Sequence, residues 1–197
     1  LYDHISAVTE KGFDVERAQR MAAFMLMSGY GIPLMQAGEE FCRTKYMDGN
    51  SYRSSDAVNK LDWKRRELFD QTVSYYKGLI ALRKGNKAYE DLTADPREVC
   101  KRIGSPDGTA VYYVGEHLYC VNNTDRPVKI KFTGRGTVLA DIRQADPEGL
   151  YRAEGEVSVE AHGVTAFLPD EGRNSVITVE LQRLLNCDRC TMMILKL

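Results

Sequence analysis

The sequence predicts an α/β element followed by an all-β one, and three observations predict it. Residues 1 to about 88 carry helical periodicity around one short apolar run. Residues from about 90 to 170 carry short β-type runs separated by turn chemistry instead. Between them, near Lys84–Leu92, the composition shifts, and that shift marks the expected domain boundary.

The elements follow in chain order. Asp14 is placed to cap a helix whose apolar positions Val15, Ala18, Ala22, Met25 and Leu26 fall near the helical period, with Gly29 or Gly31 as its end. IPLMQA (Ile32–Ala37) reads as a short apolar strand, with Pro33 tolerated near its start. A second helix is expected from roughly Arg65 to Lys84. Its stripe is Leu68, Phe69, Val73, Tyr76, Leu79 and Ile80, and Gly85 stops it. A lone strand cannot satisfy its own backbone ladder, so this helix–strand–helix run is a piece of a parallel architecture.

Seven β-type runs come next: VCKRIG, TAVYYVG, HLYCVNN, VKIKFTG, GTVLADI, VSVEAH and VTAFLP. SPDG, NNTDRP, TGRG and DPEG separate them and supply turn residues. Short strands at this spacing predict an antiparallel sandwich or barrel. The tail Glu171–Leu197 fits neither regime, and its SVITVELQRLL reads equally as strand or amphipathic helix.

Composition narrows the function. At 197 residues the chain is long enough to bury a core, and a net charge of −1 gives no footprint for nucleic acid or an anionic membrane. No apolar run is long enough to span a bilayer, and no signal-peptide pattern opens the chain. The first residue is Leu1 rather than Met, so a natural N-terminus upstream is expected. Five scattered cysteines fit reduced thiols and a cytoplasmic setting better than a disulfide framework. Cys187 and Cys190 form one CxxC, but a zinc site wants a second pair or nearby histidines. No metal and no cofactor is expected.

One stretch stands apart. Gln36–Trp63 is a long polar connection between the apolar run and the second helix. Loops beyond about 12–15 residues are usually functional or disordered. In α/β sheets, loops leaving the C-terminal ends of strands build the site. Its carboxylates and amides can bond pairs of sugar hydroxyls, and its aromatic faces can pack on the CH faces of a pyranose. The competing reading is a solvated loop whose charges pair with one another. Glu39 and Glu40 resemble an acid/base pair, but neighbours in extended chain point to opposite sides. One of them is expected to turn inward and pair with a base such as Arg43. His4, His117 and His162 sit in no nucleophile motif, and surface or capping roles are expected for them. Phosphate-loop, dinucleotide and HExxH motifs do not occur.

The ordered set SGYGIPLMQAGEEFCRTK, NSYRSSDAVNKLDW and YYKGLIALRKGNKAY resembles the type I pullulanases, α-1,6-glucan debranching enzymes of the α-amylase superfamily. The resemblance implies a C-terminal fragment holding the end of a (β/α)8 barrel (helix 7, strand 8, helix 8) followed by an antiparallel β-sandwich. Residues 1–88 would then be barrel, 89–170 sandwich, with VSVEAHGVTAFLP as its final hairpin, and 171–197 an unassigned tail. LYDHI resembles the segment just after the family's HDN block. The nucleophile, the general acid and the third catalytic carboxylate would therefore lie upstream of Leu1, so no catalytic residue is assigned here and the chain alone is expected to be inactive.

By the same resemblance, Asp56 is the first substrate-binding candidate and Asn59 the second. Arg43, Asn50 and Tyr52 would shape the loop or make secondary contacts. Lys60 stands where some relatives carry Arg, which removes a bidentate donor. Trp63 is expected to anchor the loop rather than stack on sugar. The implied partners are an α-glucan and the missing N-terminal part of the barrel. The alternatives are a non-catalytic glucan-binding or structural module, or one half of a split barrel.

Overall fold

Asp14 starts the first long helix, its carboxylate accepting the Arg17 amide at 2.8 Å. In the computed structural model, which describes residues 1–9 and 14–181, that helix is α2, Val15–Ser28. It follows a short α1, Tyr2–Val8. The Gly29 amide closes α2 by returning to the Met25 carbonyl at 3.2 Å. The buried face of α2 carries Gln19, Ala23, Phe24 and Met27.

The run Ile32–Ala37 departs from expectation. It pairs with no strand among the described residues, and Ile32 and Leu34 are 87% and 89% exposed. An apolar run becomes a strand only when neighbours accept and supply its backbone hydrogen bonds, and a parallel ladder needs them on both sides.

The long polar loop holds a one-turn helix, α3, Asp56–Asn59. The expected second helix arrives as two, α4 (Lys64–Leu68) and α5 (Asp70–Gly85), broken at Phe69 with φ −114° and ψ 37°. The break shifts the phase of the stripe. Val73, Tyr76 and Leu79 are buried as expected, Thr72, Tyr75 and Leu82 join them, and Leu68 turns out to solvent. A last short helix, α6 (Pro96–Val99), leads into the sheet with Asp95 capping it.

Seven strands form one antiparallel sheet. They are β1 (Cys100–Ile103), β2 (Thr109–Val114), β3 (His117–Asn122), β4 (Val128–Ala140), β5 (Tyr151–Val159), β6 (Gly163–Pro169) and β7 (Ile177–Leu181). The order is β1-β2-β3-β6-β4-β5, with β7 also on β4. Two expectations are corrected here. TGRG is no turn: it lies inside the 13-residue β4, whose register shifts between Lys131 and Arg135. Gly134 at φ +77° supplies the left-handed residue that such a bulge requires. Nor do VSVEAH and VTAFLP make a hairpin, because β5 and β6 each pair with β4 and not with one another. Part of the ambiguous SVITVELQRLL is strand β7, which lies on Val128–Phe132. Residues beyond Leu181, Cys187 and Cys190 among them, lie outside the described residues.

Alternation along the strands serves two apolar clusters. On one face Val114, Tyr119, Val121 and Ala166 pack against Phe24 and Met27 of α2 and Tyr76 and Leu79 of α5. Phe24 meets Tyr119 edge-on at 5.9 Å. The other cluster collects Val111, Leu118, Ile130, Phe132, Val138, Val157 and Phe167 from five strands. The first cluster ties helices to sheet, so α2 and α5 form a fixed platform for the loop between them. No described helix is long and apolar enough to cross a membrane.

Candidate functional site

The loop leaves the platform through a tight turn. Gly38, at φ +95°, accepts the amides of Phe41 at 3.2 Å and Arg43 at 2.9 Å. A Cβ at Gly38 would stand 2.9 Å from Arg43 Cβ and Cδ, so the turn also needs glycine for space. Phe41 is buried beneath it. Cys42 follows at φ +55°, its carbonyl held by the Arg65 guanidinium. Arg65 in turn stacks against the rings of Tyr2 and Phe69 at 5.3 and 4.8 Å.

Arg43 does not pair with either glutamate. It donates to the Ala37 carbonyl at 3.2 Å and to the Asn59 carbonyl, bridging the two ends of the loop. Glu40 instead accepts the Gly38 amide at 3.0 Å. Tight turns leave backbone groups without partners of their own, and these draw both side chains away from an ion pair.

The next section is held from outside. Tyr46 and Met47 both lie in the left-handed region, at φ +53° and +66°. The Asp3 carboxylate of α1 accepts the Lys45 amide at 2.8 Å and the Met47 amide at 3.3 Å. Partial burial works to raise its pKa, but hydrogen bonds from the Thr44 side chain and these two amides outweigh it and hold the group below the ordinary value. Lys45 Nζ reaches Ser51 Oγ at 2.6 Å. Asp48 accepts the Ser54 hydroxyl and, at 3.1 Å, the Asn50 amide; both bonds, Ser54's foremost, lower its pKa.

The candidates from sequence fall into two groups. Asn59 and Arg43 bond each other's neighbourhood: the Asn59 amide donates to the carbonyls of Ser51 at 2.6 Å and Ser54 at 2.9 Å, while its own carbonyl takes Arg43. These two close the loop from within. Asp56, Asn50 and Tyr52 are exposed. Asp56 opens α3 and its carboxylate has no side-chain partner among the described residues. Tyr52 is 74% exposed with the Arg53 guanidinium 5.4 Å from its ring centre. Trp63 leans on Phe41 with 5.6 Å between ring centres and keeps its outer side in solvent. A polar recess of about 160 Å3 opens among Asp3, His4, Gln36, Arg43, Lys45 and Asp48.

Sequence reading missed Asp3, Lys45, Ser51 and Ser54. The D-x-N spacing of Asp48 and Asn50 signals a side-chain turn, but nothing local announces that Asp3 reaches the loop. His117 also departs from expectation: it is half-buried at the start of β3, and desolvation drives its pKa down to about 4. His162 sits in the β5–β6 connection with Nε2 2.8 Å from Asp125. Among the described residues no group of three or more His, Cys, Asp or Glu side chains could hold a metal ion. Cys42, Cys100 and Cys120 are free thiols.

No protein-family profile matches the chain. Its similarities in sequence are to debranching glycoside hydrolases, the pullulanases and isoamylases. The pullulanase of Bacillus subtilis strain 168 is 48% identical over 71 residues, which cover 36% of this chain and 10% of that protein. The isoamylase of a Flavobacterium species is 34% identical over 88 residues, 44% of this chain and 11% of that one. Among solved structures, the pullulanase from Bacillus acidopullulyticus superposes with a TM-score of 0.75 at 23% identity, over 85% of this chain and 22% of that chain. The type I pullulanase from Bacillus subtilis complexed with maltose gives 0.69 at 24% identity, over 82% and 24%. The fold is therefore pullulanase-like. The matched part spans about a tenth of the sequence relatives, 10% and 11%, and about a quarter of the solved chains, 22% and 24%.

Proposed function

We propose that this chain is the C-terminal part of a pullulanase, which in its intact form hydrolyses α-1,6-glucosidic bonds in pullulan, starch or glycogen dextrins. On this reading residues 1–88 complete a (β/α)8 barrel, residues 89–170 form the adjoining β-sandwich, and Gln36–Trp63 makes one wall of the glucan cleft. The observation that carries the reading is the loop itself. It is braced internally by Arg43, Asn59 and Lys45, yet leaves the Asp56 carboxylate and the Tyr52 ring open to solvent. Both groups are thus free to meet a ligand from solvent. A solved relative of like fold is a pullulanase complexed with maltotetraose.

Asp56 would accept hydrogen bonds from two sugar hydroxyls, and Tyr52 or the outer face of Trp63 would pack on a ring. Asn59 and Arg43 then act by shaping the loop, and Asn50 by turning the chain toward Tyr52. The nucleophile, general acid and third carboxylate of the retaining mechanism belong to barrel strands outside this chain. The unladdered Ile32–Ala37 run, with Ile32 and Leu34 in solvent, supports that division, since it has the composition of a strand and lacks neighbours.

Reducing ends released from pullulan by the purified 197-residue chain test the reading. No release is expected over hours. Turnover that survives purification would overturn the division and direct attention to Glu39, Glu40 and Asp56.

A further inference from the structure

Two backbone donors of the loop converge on one carboxylate from another element. Asp3 Oδ2 takes the Lys45 amide at 2.8 Å and the Met47 amide at 3.3 Å. The turn they belong to is costly by itself, because Tyr46 and Met47 both occupy the left-handed region that L side chains disfavour. Packing does not compensate: Tyr46 is 71% and Met47 53% exposed. Within the turn the Tyr46 amide donates to Thr44 Oγ1 at 2.9 Å and the Asp48 amide to the Lys45 carbonyl at 3.0 Å; Asp3 supplies the acceptor that ties it to another element.

From the turn a continuous line of contacts leads onward. Lys45 Nζ donates to Ser51 Oγ at 2.6 Å. The Ser51 carbonyl accepts Asn59 Nδ2 at 2.6 Å, and the Ser54 carbonyl accepts the same nitrogen at 2.9 Å. Asn59 ends the single helical turn that Asp56 begins. We infer that Asp3 is a positioning residue for the glucan site: it orders the Thr44–Met47 turn and, through Lys45, Ser51 and Asn59, fixes where Asp56 stands. The inference rests on the glucan-binding reading above. Asp3 borders the polar recess, but its hydrogen bonds go to the loop and it acts through other residues.

The test uses the whole 197-residue chain and two variants, Asp3→Ala and Asp3→Asn, the second keeping the shape should the first fail to fold. Amide hydrogen exchange is read at Lys45, Met47 and, as a reference, along α5, and maltotriose is titrated into each protein. The expected result for Asp3→Ala is exchange at Lys45 and Met47 faster by about tenfold or more, with α5 unchanged, because a charge-assisted acceptor has been removed. Maltotriose affinity should fall by about three- to tenfold, as a displaced contact residue loses its geometry. Asp3→Asn, which keeps an uncharged acceptor, should fall between. A purely structural role would speed exchange along α5 as well.

Unchanged exchange at both amides in both variants would overturn the inference. So would unchanged maltotriose affinity in a variant whose two amides have been released. If the unaltered chain binds no maltotriose, the glucan-binding reading is the one that fails. The ordering of the turn by Asp3 is then upheld or overturned by the exchange data alone.

Discussion

Asp56 and Glu39 are the loop carboxylates whose side chains accept no hydrogen bond among the described residues, and only Asp56 is exposed. Replacing it with alanine should therefore leave stability within about 0.5 kcal/mol. Maltotriose binding should weaken by about tenfold or more, as the charged hydrogen bonds to the sugar hydroxyls are lost. Calorimetric titration beside a denaturant melt checks both halves. At the thiols, burial pushes Cys42 and Cys120 up to about 12. Since the thiolate is the nucleophile, iodoacetamide at pH 8 should leave both unlabelled in the folded chain and label both once it is unfolded. Rapid native labelling of Cys42 would show that the turn at Gly38 opens. Asp3 carries a pH signature of its own. Its folded pKa lies below the ordinary 3.8, so its stabilisation is complete above that value and disappears as pH falls through the folded pKa. The gap in melting temperature between the unaltered chain and Asp3→Asn should be widest near neutrality and close in acid. Residue-scale legibility was uneven for a physical reason. The cap of Asp14 and the turn at Asp48 act over two or three positions and show in the letters. The reach of Asp3 to Lys45, and of Arg43 to carbonyls on both sides of the loop, depends on folding and does not.

At the scale of elements, α5 meets the β4–β5 connection with backbone against backbone. A Cβ on Gly78 would stand 1.9 Å from the Ala145 carbonyl oxygen. Alanine favours helix over glycine by about 1 kcal/mol, but overpacking of this kind costs about 1–3 kcal/mol, and the contact is with main chain that cannot swing aside. Gly78→Ala should therefore lower stability in a urea melt; a gain would mean that the Asp141–Asp146 loop moves freely off the helix. The same scale shows what local pattern can and cannot carry. α2 was legible because cap, period and terminating glycine agree within its own span. TGRG has turn composition, yet pairing with β5 and β6 holds it inside a strand as a bulge. Ile32–Ala37 has strand composition, yet lacks the neighbours that would make it one. In each case the deciding hydrogen bonds come from residues far away in sequence.

Across the whole molecule, the helices and the sheet share one apolar cluster, while the Ile32–Leu34 side chains remain in solvent beside a groove of about 650 Å3 lined by Met27, Met35 and Ile80. Apolar side chains on an unpaired run are a template for association with other chains. The purified chain is expected to form dimers or larger species at micromolar concentration. Ile32→Lys with Leu34→Lys should return it to a monomer without lowering its melting temperature, as light scattering after size exclusion would show. A monomer before substitution would refute the expectation. The polar loop was legible at this scale from its length and chemistry alone. Which of its residues brace it and which face outward required the fold.

The arrangement of β4 also bears on how the chain is made. Its first half, Val128–Phe132, is flanked by β7, and its second half, Gly136–Ala140, by β6. A ribosome that has delivered residues only through Asp170 has supplied β6 but not β7, so the nascent sheet carries an uncovered flank along Val128–Phe132. During that interval the growing polypeptide offers a binding site to chaperones, or to a neighbour on the same polysome, that the finished protein withdraws.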